Sequence, residues 1–430
     1  MVEAVILVVF FGLLVMGVPI AFAIGLATIA GLGLSIDSVA ALTTVAQRMA
    51  GGINSFALLA IPLFILSGQL MSSGGIAQRL VQFARSLIGM FPGGLAFVNV
   101  VSCTLFGSIS GSAVAATSSV GGVMVPAMEE EAYPREFSAA LTATAATTGL
   151  LVPPSNILIV YAVASGGVSV AALFVAGYLP GILVAVALML VCAGYARRSG
   201  LSGSRFVGFA ALLQSFWAAA PSLFLLVVII GGILGGVFTA TEAGAIAVLY
   251  ALALSLFYGE TSFNDLPGII LRATSTTAIV MLLVGTSMAM SWLFAFEGLP
   301  GRVADALLTL SDNPWVILLL INLILLVIGA FMDMTPAVLI FTPIFLPVAA
   351  QLGMSPLHFG IMMVLNLCIG LCTPPVGSVL FVSCAVAKTR IEAMIRPLLP
   401  MYFAMIAVLL LVTYVPAVSE ALPMAFGLYE

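Results

Sequence analysis

Charge is what this chain has least of. Of its 430 residues only 7% are Asp, Glu, Lys or Arg, where a soluble protein carries roughly 25%. So little charge cannot clothe a surface in water, which excludes the soluble classes and predicts a polytopic membrane protein. Twelve Lys and Arg against sixteen Asp and Glu leave a net charge of −4, which argues against nucleic acid as a partner. The phosphate-binding loop pattern of nucleotide hydrolases is missing, so ATP is not hydrolysed by that route. One histidine, His358, and five cysteines in apolar surroundings give no easy zinc set, even with Cys368 and Cys372 one turn apart. The cysteines read as small packing residues. No basic residues precede the first apolar run, which reads as a transmembrane helix and not a cleaved signal.

What is present is apolar: 63% hydrophobic residues and a mean hydropathy of +1.30. Two Pro-Pro pairs interrupt it. Gly149-Leu150-Leu151-Val152-Pro153-Pro154-Ser155-Asn156 is answered 221 residues later by Gly370-Leu371-Cys372-Thr373-Pro374-Pro375-Val376-Gly377. A Pro-Pro pair removes two N–H donors and clashes with the preceding turn, so neither helix can continue. Pro126 with Pro347 and Ala164 with Ala385 keep the 221 offset, and Gly75-Ile76 with Arg79 resembles Gly298-Leu299 with Arg302 at 223. This is an internal duplication. Parallel halves are possible; inverted halves fit transporters, whose sites lie at broken helices in corresponding places.

Each half is expected to run in the same order. Conventional spans fall near 4–34, 53–72, 212–235, 241–258 and 277–296. Ile76, Leu80, Phe83, Leu87 and Met90 make a helical stripe, either an interfacial helix or a plain connector. Leu95 to Phe106 covers roughly 18 Å, too short for a hydrocarbon core of about 30 Å. It breaks at Gly107–Ser112 and returns as Ala113 to Met128, a re-entrant hairpin. Val316 to Ile328, a tip over Gly329–Pro336, and Ala337 to Ala350 repeat it. Ser112 and Thr335 are the expected N-caps of the returning helices. Broken helices follow: Glu136–Leu151 with Ser155–Ser165, and Leu357–Cys372 with Val376–Ala387. The predicted organisation is therefore scaffold helices over 1–94, hairpin and broken helix over 95–196, a loop over 197–211, scaffold helices over 212–313, and hairpin, broken helix and final span over 314–430. Arginines in the 196–205 loop, with Lys388, Arg390 and Arg396, put those segments in the cytoplasm.

The breaks carry the chemistry. Freed carbonyls at Thr147, Thr148, Gly149, Val152, Gly370 and Thr373 suit a hard cation such as Na⁺, and free N–H groups near Ser155-Asn156 and Gly377-Ser378 suit an anion. Hydroxyls at Ser108, Ser110, Ser112, Thr142, Thr144, Thr147 and Thr148 add oxygen ligands without buried charge, although small residues also serve helix packing. Neither hairpin holds a basic residue, so an anionic substrate would need co-bound cations. Asp333 at the second tip binds a cation, carries a proton or caps the helix. Glu242 stands three residues after Thr239 and reads as a capping box. His358, at a helix start, reads as structural.

Together, Gly107-Ser-Ile-Ser-Gly-Ser-Ala113, Gly149-Leu-Leu-Val-Pro-Pro-Ser155, Thr239-Ala-Thr-Glu-Ala-Gly244 and Gly370-Leu-Cys-Thr-Pro-Pro-Val-Gly377 resemble the large membrane subunit of tripartite ATP-independent periplasmic (TRAP) transporters. The resemblance runs through nearly the whole chain. Ala240 stands where the family usually has Pro, at a first helical position where either residue is accepted. The resemblance implies an all-α inner-membrane protein with an elevator-type transport domain moving against a scaffold, Na⁺ as coupling ion and no other cofactor. It also implies a small four-helix membrane (Q) subunit, a periplasmic substrate-binding protein (P subunit), contact with membrane lipid, and organic-acid substrates such as C4-dicarboxylates or sialic acids. Its sodium sites carry over to the tip at Ser108, Ser110 and Ser112 with the break at Gly149, Val152 and Pro153, and to the tip at Gly329, Asp333 and Thr335 with the break at Gly370, Thr373 and Pro374. Substrate is expected between the two tips, against Ser110, Gly111, Ser112, Ser155, Asn156, Asp333, Thr335, Gly377 and Ser378. A stand-alone carboxylate symporter is the alternative. An intramembrane protease is disfavoured because a lone histidine at a helix start makes a Ser–His dyad improbable.

Overall fold

A computed structural model describes residues 2–201, 208–311 and 313–429, and among them every regular element is a helix. The first half contains α1 (Val2–Val15), α2 (Ile20–Leu32), α3 (Ser38–Ile53), α4 (Ala60–Ser73), α5 (Ile76–Ile88), α6 (Gly94–Ser110), α7 (Ala113–Glu130), α8 (Arg135–Thr148), α9 (Asn156–Ala164) and α10 (Val170–Ser199). The second contains α11 (Phe209–Leu234), α12 (Ala240–Phe257), α13 (Leu266–Phe296), α14 (Leu299–Leu310), α15 (Pro314–Phe331), α16 (Met334–Gln351), α17 (Pro356–Gly370), α18 (Ser378–Ala387), α19 (Ile391–Tyr414) and α20 (Ala417–Ala425). Eight of the described helical stretches are long and apolar enough to cross a membrane. Residues 202–205 of the expected charged loop lie outside the described part; α10 carries Arg197 and Arg198 in its last turn.

The two halves are inverted copies. Cys368 of α17 points its thiol at the Thr147 carbonyl of α8, and Cys372 reaches the Ala143 carbonyl. As one chain climbs from 368 to 372, its neighbour descends from 147 to 143, so these equivalent helices are antiparallel. Cys368 and Thr147 are themselves 221 residues apart, the repeat offset, so the pseudo-two-fold axis passes beside this contact.

Several boundaries differ from expectation. The run 4–34 is not one span. Gly17 has φ +81° and Pro19 offers no N–H, so the chain folds back as α1 and α2; Gly31 and Ile6 pack together, where a Cβ on the glycine would fall 2.6 Å from Ile6 Cγ1. The turn is as apolar as the helices around it, and hydropathy could not reveal it. Likewise α13 begins at Leu266, eleven residues before the expected start at 277. The stripe on α5 buries Ile76 and Leu80 with Ala77, Val81 and Ala84, whereas Leu87 and Met90 face outward. Helix α3 was unforeseen; Asp37 caps it by accepting from the Val39 N–H at 3.1 Å.

The hairpin tips are shorter than their Gly/Ser composition suggests. Helix α6 continues through Gly107 to Ser110 and α15 through Gly329 to Phe331. Inside a membrane no water competes for the backbone, so helix is kept wherever sterics permit, and the Ser108 hydroxyl simply donates back to the Leu105 carbonyl at 2.8 Å. Ser112 caps α7 as expected, accepting from the Ala115 N–H at 3.2 Å. Thr335 does not cap α16: the helix starts at Met334, and Asp333 occupies the cap position without a side-chain cap bond. The broken helices end early as well, α8 at Thr148 and α17 at Gly370, and α18 starts at Ser378. Both Pro-Pro bonds are cis.

Basic residues segregate to one end of the helices. Arg79 pairs with Glu260 beside the start of α13, where Arg272 sits; Arg85 pairs with Glu131 and Arg135 with Glu129 near the end of α7. The end of α10 joins them, with Tyr195 stacked 4.0 Å from Phe137, as do Lys388, Arg390 and Arg396 around the start of α19. At the opposite end stand Arg302, paired with Glu3, and Arg48, 4.6 Å over the Trp292 ring.

Candidate functional site

Both hairpins press their last helical turn onto a broken helix through glycine. A Cβ on Gly149 would lie 2.4 Å from the Cα of Gly107, and one on Gly370 2.6 Å from the Cα of Gly329. Only glycine allows backbones this close. Each crossing brings a tip to a break, joining Ser108 with Gly149 in the first half and Gly329 with Gly370 in the second. Val376 strengthens the second, its N–H donating to the Ala330 carbonyl at 3.2 Å.

Around these crossings oxygen is plentiful. Thr148 donates to the Ala145 carbonyl and lies 2.6 Å from the Thr104 hydroxyl. Thr147 donates to the Thr144 carbonyl at 2.8 Å, and Thr373 to the Ile369 carbonyl at 2.7 Å. A hydroxyl that gives its proton to the backbone keeps lone pairs for a further partner. The carbonyls are less free than expected: Thr147, Thr148 and Gly370 accept turn bonds from Leu150, Val152 and Thr373. Gly370 retains a second lone pair, whereas Thr147 also accepts from the Cys368 thiol and Thr148 from the Leu151 N–H. Gly149, Val152 and Thr373 accept no backbone bond of this kind among the described residues. Pro153 and Pro374 belong to the two breaks and hold their shape.

A cavity of about 240 Å³ lies between the tips. Ser110, Gly111 and Ser112 line it from the first hairpin, and Asp333 and Thr335 from the second. Asn156 and Ser378, the first residues of α9 and α18, face it across the pseudo-axis. Neither Asn156 Oδ1 nor Ser378 Oγ has a hydrogen-bond partner, though both atoms are buried. Buried polar atoms left open in matched positions are unusual, because each loses about 1–3 kcal/mol of solvation. Two expected contacts stay outside: Ser155 turns away and donates to the Leu150 carbonyl at 2.5 Å, and Gly377 lies behind the turn against Thr373. Among the described lining residues Asp333 is the only charged one.

Sequence reasoning missed the other wall. Gln69 and Ser72 of α4 and Thr276 of α13 complete the cavity, and a Cβ on Gly68 would meet the Ser110 carbonyl at 2.6 Å. The signal was available: Gln69 and Ser72 are polar residues one turn apart inside an apolar span. Two buried asparagines were missed as well. Asn99 donates to the Thr142 hydroxyl at 2.7 Å, and Asn366 donates to Asn322 Oδ1 at 2.9 Å. Asn99 and Asn322 are matched at the 223 offset, each tying a hairpin helix to a broken helix.

Glu242 and His358, weighed for chemistry, have structural roles, and the five cysteines form no site among the described residues. Glu242 forms the capping box, accepting from the Thr239 N–H at 2.7 Å. Removing it with Glu242→Ala is expected to lower thermal stability slightly and leave transport unchanged; a loss of uptake without a loss of thermal stability would overturn the assignment. His358 is buried with its Nε2 2.6 Å from the Val412 carbonyl, joining α17 to α19. The cysteines are all unpaired, and among the described residues no group of three or more His, Cys, Asp or Glu gathers for a metal.

Comparison with known proteins gives consistent results. The family described as tripartite ATP-independent periplasmic transporter, DctM component, matches residues 7–418. The uncharacterized protein YgiK of Salmonella typhimurium is 52% identical over 415 residues, covering 96% of this chain and 95% of its own. The sialic acid TRAP transporter large permease protein SiaM of Vibrio cholerae is 40% identical over 420 residues, covering 96% of this chain and 97% of its own. Among solved structures, the Alcanivorax borkumensis YdaH transporter superposes with a TM-score of 0.65 over 91% of this chain and 90% of its own, at 16% identity, which marks a shared fold.

Proposed function

Because the chain belongs to the DctM component of the tripartite ATP-independent periplasmic transporters, a permease and not an enzyme, we propose that it imports an organic-acid anion across a bacterial inner membrane, driven by Na⁺. The observation that carries the site is the matched pair of unpartnered polar atoms, Asn156 Oδ1 and Ser378 Oγ, facing one cavity between two hairpin tips. The starts of α9 and α18 have no side-chain cap, so their N–H groups are free to receive a carboxylate. With Asp333 as the only charge among the described lining residues, a bound anion needs cations beside it. The hydroxyl and carbonyl oxygens at the Gly107–Gly149 and Gly329–Gly370 crossings are suited to holding them.

In this reading the hairpins and broken helices form the transport domain, and α1–α4 and α11–α13 belong to the scaffold. Sodium fills the two crossings, the anion follows between the tips, and the transport domain then slides past Gln69 and Thr276. The basic end of the helices faces the cytoplasm by the positive-inside rule. A periplasmic binding protein delivers the substrate and a small four-helix subunit completes the membrane complex, as the tripartite family implies. Sialic acid, the substrate named for the Vibrio relative, is one member of the expected class.

Thermal unfolding in detergent tests the sodium sites. NaCl should stabilise the protein over KCl at equal ionic strength, by about 2.7 kcal/mol at a hundredfold excess over Kd. Thr148→Val should remove most of that difference. Equal melting in both salts, or no uptake under a sodium gradient with both partners present, would sink the proposal.

A further inference from the structure

A second cavity, of about 390 Å³, has a different chemistry. Its walls include Ile6 and Phe10 of α1, Phe294 of α13, and Phe331, Ile340 and Ile344 of the second hairpin. Glu3 is the only polar residue among the described lining residues. At the rim, Leu7 and Phe11 are 55% and 53% exposed. On a helix this apolar in a membrane protein, such a rim opens to hydrocarbon and not to water. Glu3 marks one end. Its Oε1 lies 2.5 Å from Arg302 Nη2, and Arg302 also donates to the Glu297 carbonyl at 2.6 Å. The ion contact is poorly aligned as a hydrogen bond, and Glu3 Oε1 has no other. Both side chains remain partly open, at 54% for Arg302 and 36% for Glu3.

We propose that this cavity binds one acyl chain of a zwitterionic phospholipid, with the phosphate at Arg302 and the ammonium at Glu3. The volume falls within the range of roughly 300–1,000 Å³ typical of small-molecule sites. An apolar void left unfilled forfeits dispersion contacts along its whole lining, and a lipid tail is the apolar material at hand at this depth. The adjacent carboxylate and guanidinium present both signs of charge at the end of the apolar channel, as a zwitterionic headgroup requires and a free fatty acid does not. The chain lies between α1 and α13 on one side and the second hairpin on the other. Its occupancy therefore bears on where that hairpin can sit, whatever ion drives it.

Native mass spectrometry of the purified full chain, after exchange into a delipidating detergent, tests this. Titration with dipalmitoyl phosphatidylethanolamine should restore one bound lipid per protein. Ile344→Trp fills the cavity and should weaken this binding at least about tenfold. Glu3→Gln, at a partly open position, should weaken it about fivefold and erase the preference over phosphatidylglycerol, because the ammonium loses its partner while both lipids keep the phosphate contact at Arg302, so the test survives if the tryptophan variant fails to fold. Equal lipid retention by wild type and both variants would overturn the proposal, as would binding that ignores headgroup. So would cross-linking of a Leu7→Cys protein to another polypeptide in native membranes, which would make the occupant a partner helix.

Discussion

A single methyl group at Gly149 or Gly370 is expected to lower transport on the order of tenfold. In each case the added Cβ meets backbone, at 2.4 Å from Gly107 or 2.6 Å from Gly329, and backbone cannot rotate away as a side-chain tip can. The hairpin must lift off the broken helix, which separates Ser108 from the first break and Asp333 from the second. Overpacking of this kind costs about 1–3 kcal/mol, enough to lower uptake on the order of tenfold if each crossing is part of a binding site. Gly122→Ala is the control, since nothing lies within 4 Å of its added Cβ. Uptake measured in proteoliposomes with both partners should fall for Gly149→Ala and Gly370→Ala and hold for Gly122→Ala. Normal uptake in the first two would mean that tip and break need not touch.

The second large effect concerns Asp333. It is the only charged residue among the described lining of the central cavity, and no basic side chain is there to balance it. A cation about 4 Å away gains on the order of 4 kcal/mol at an effective dielectric of 20. Asp333→Asn removes that attraction while keeping shape and volume. The half-saturating sodium concentration, read from both thermal shift and uptake, should rise on the order of a thousandfold. Asp305→Asn on α14, exposed and outside the lining of the central cavity, should leave it unchanged. An unaltered sodium midpoint in Asp333→Asn would remove this carboxylate from the coupling ion's surroundings.

What was legible in the sequence followed from chemistry that a bilayer makes strict. Pro-Pro pairs in apolar runs locate the breaks to within three residues, because missing N–H groups cannot be hidden in lipid. The repeat was legible from the spacing of those same prolines, and its inversion became visible in the antiparallel contact of Thr147 with Cys368. Composition misled where a residue permits a bend without requiring one. Gly107, Ser108 and Ser110 read as tip and are helix; Met16-Gly17-Val18 reads as helix and is a turn. Residue preference favours Thr335 as cap, but the helix starts at Met334, two residues before the Pro336 start that a Thr335 cap requires. The scaffold wall of the cavity was hidden for another reason. Gln69 and Ser72 stand out as a polar pair in an apolar span, but Thr276 comes from a helix distant in sequence, and packing is what shows all three facing one space.

The antiparallel pairing of α8 with α17 has a consequence for direction. A machine made of two copies facing opposite ways has no front or back of its own: whatever one half does toward one side, the other can do toward the other. Directionality must then enter from outside, through unequal concentrations across the bilayer, or from places where the copies differ. The tips are such a place, with Asp333 in one half standing where Ser112 caps the equivalent helix in the other, 221 residues away. The symmetric part of the molecule supplies reversibility, and one unmatched carboxylate is where the two faces stop being interchangeable.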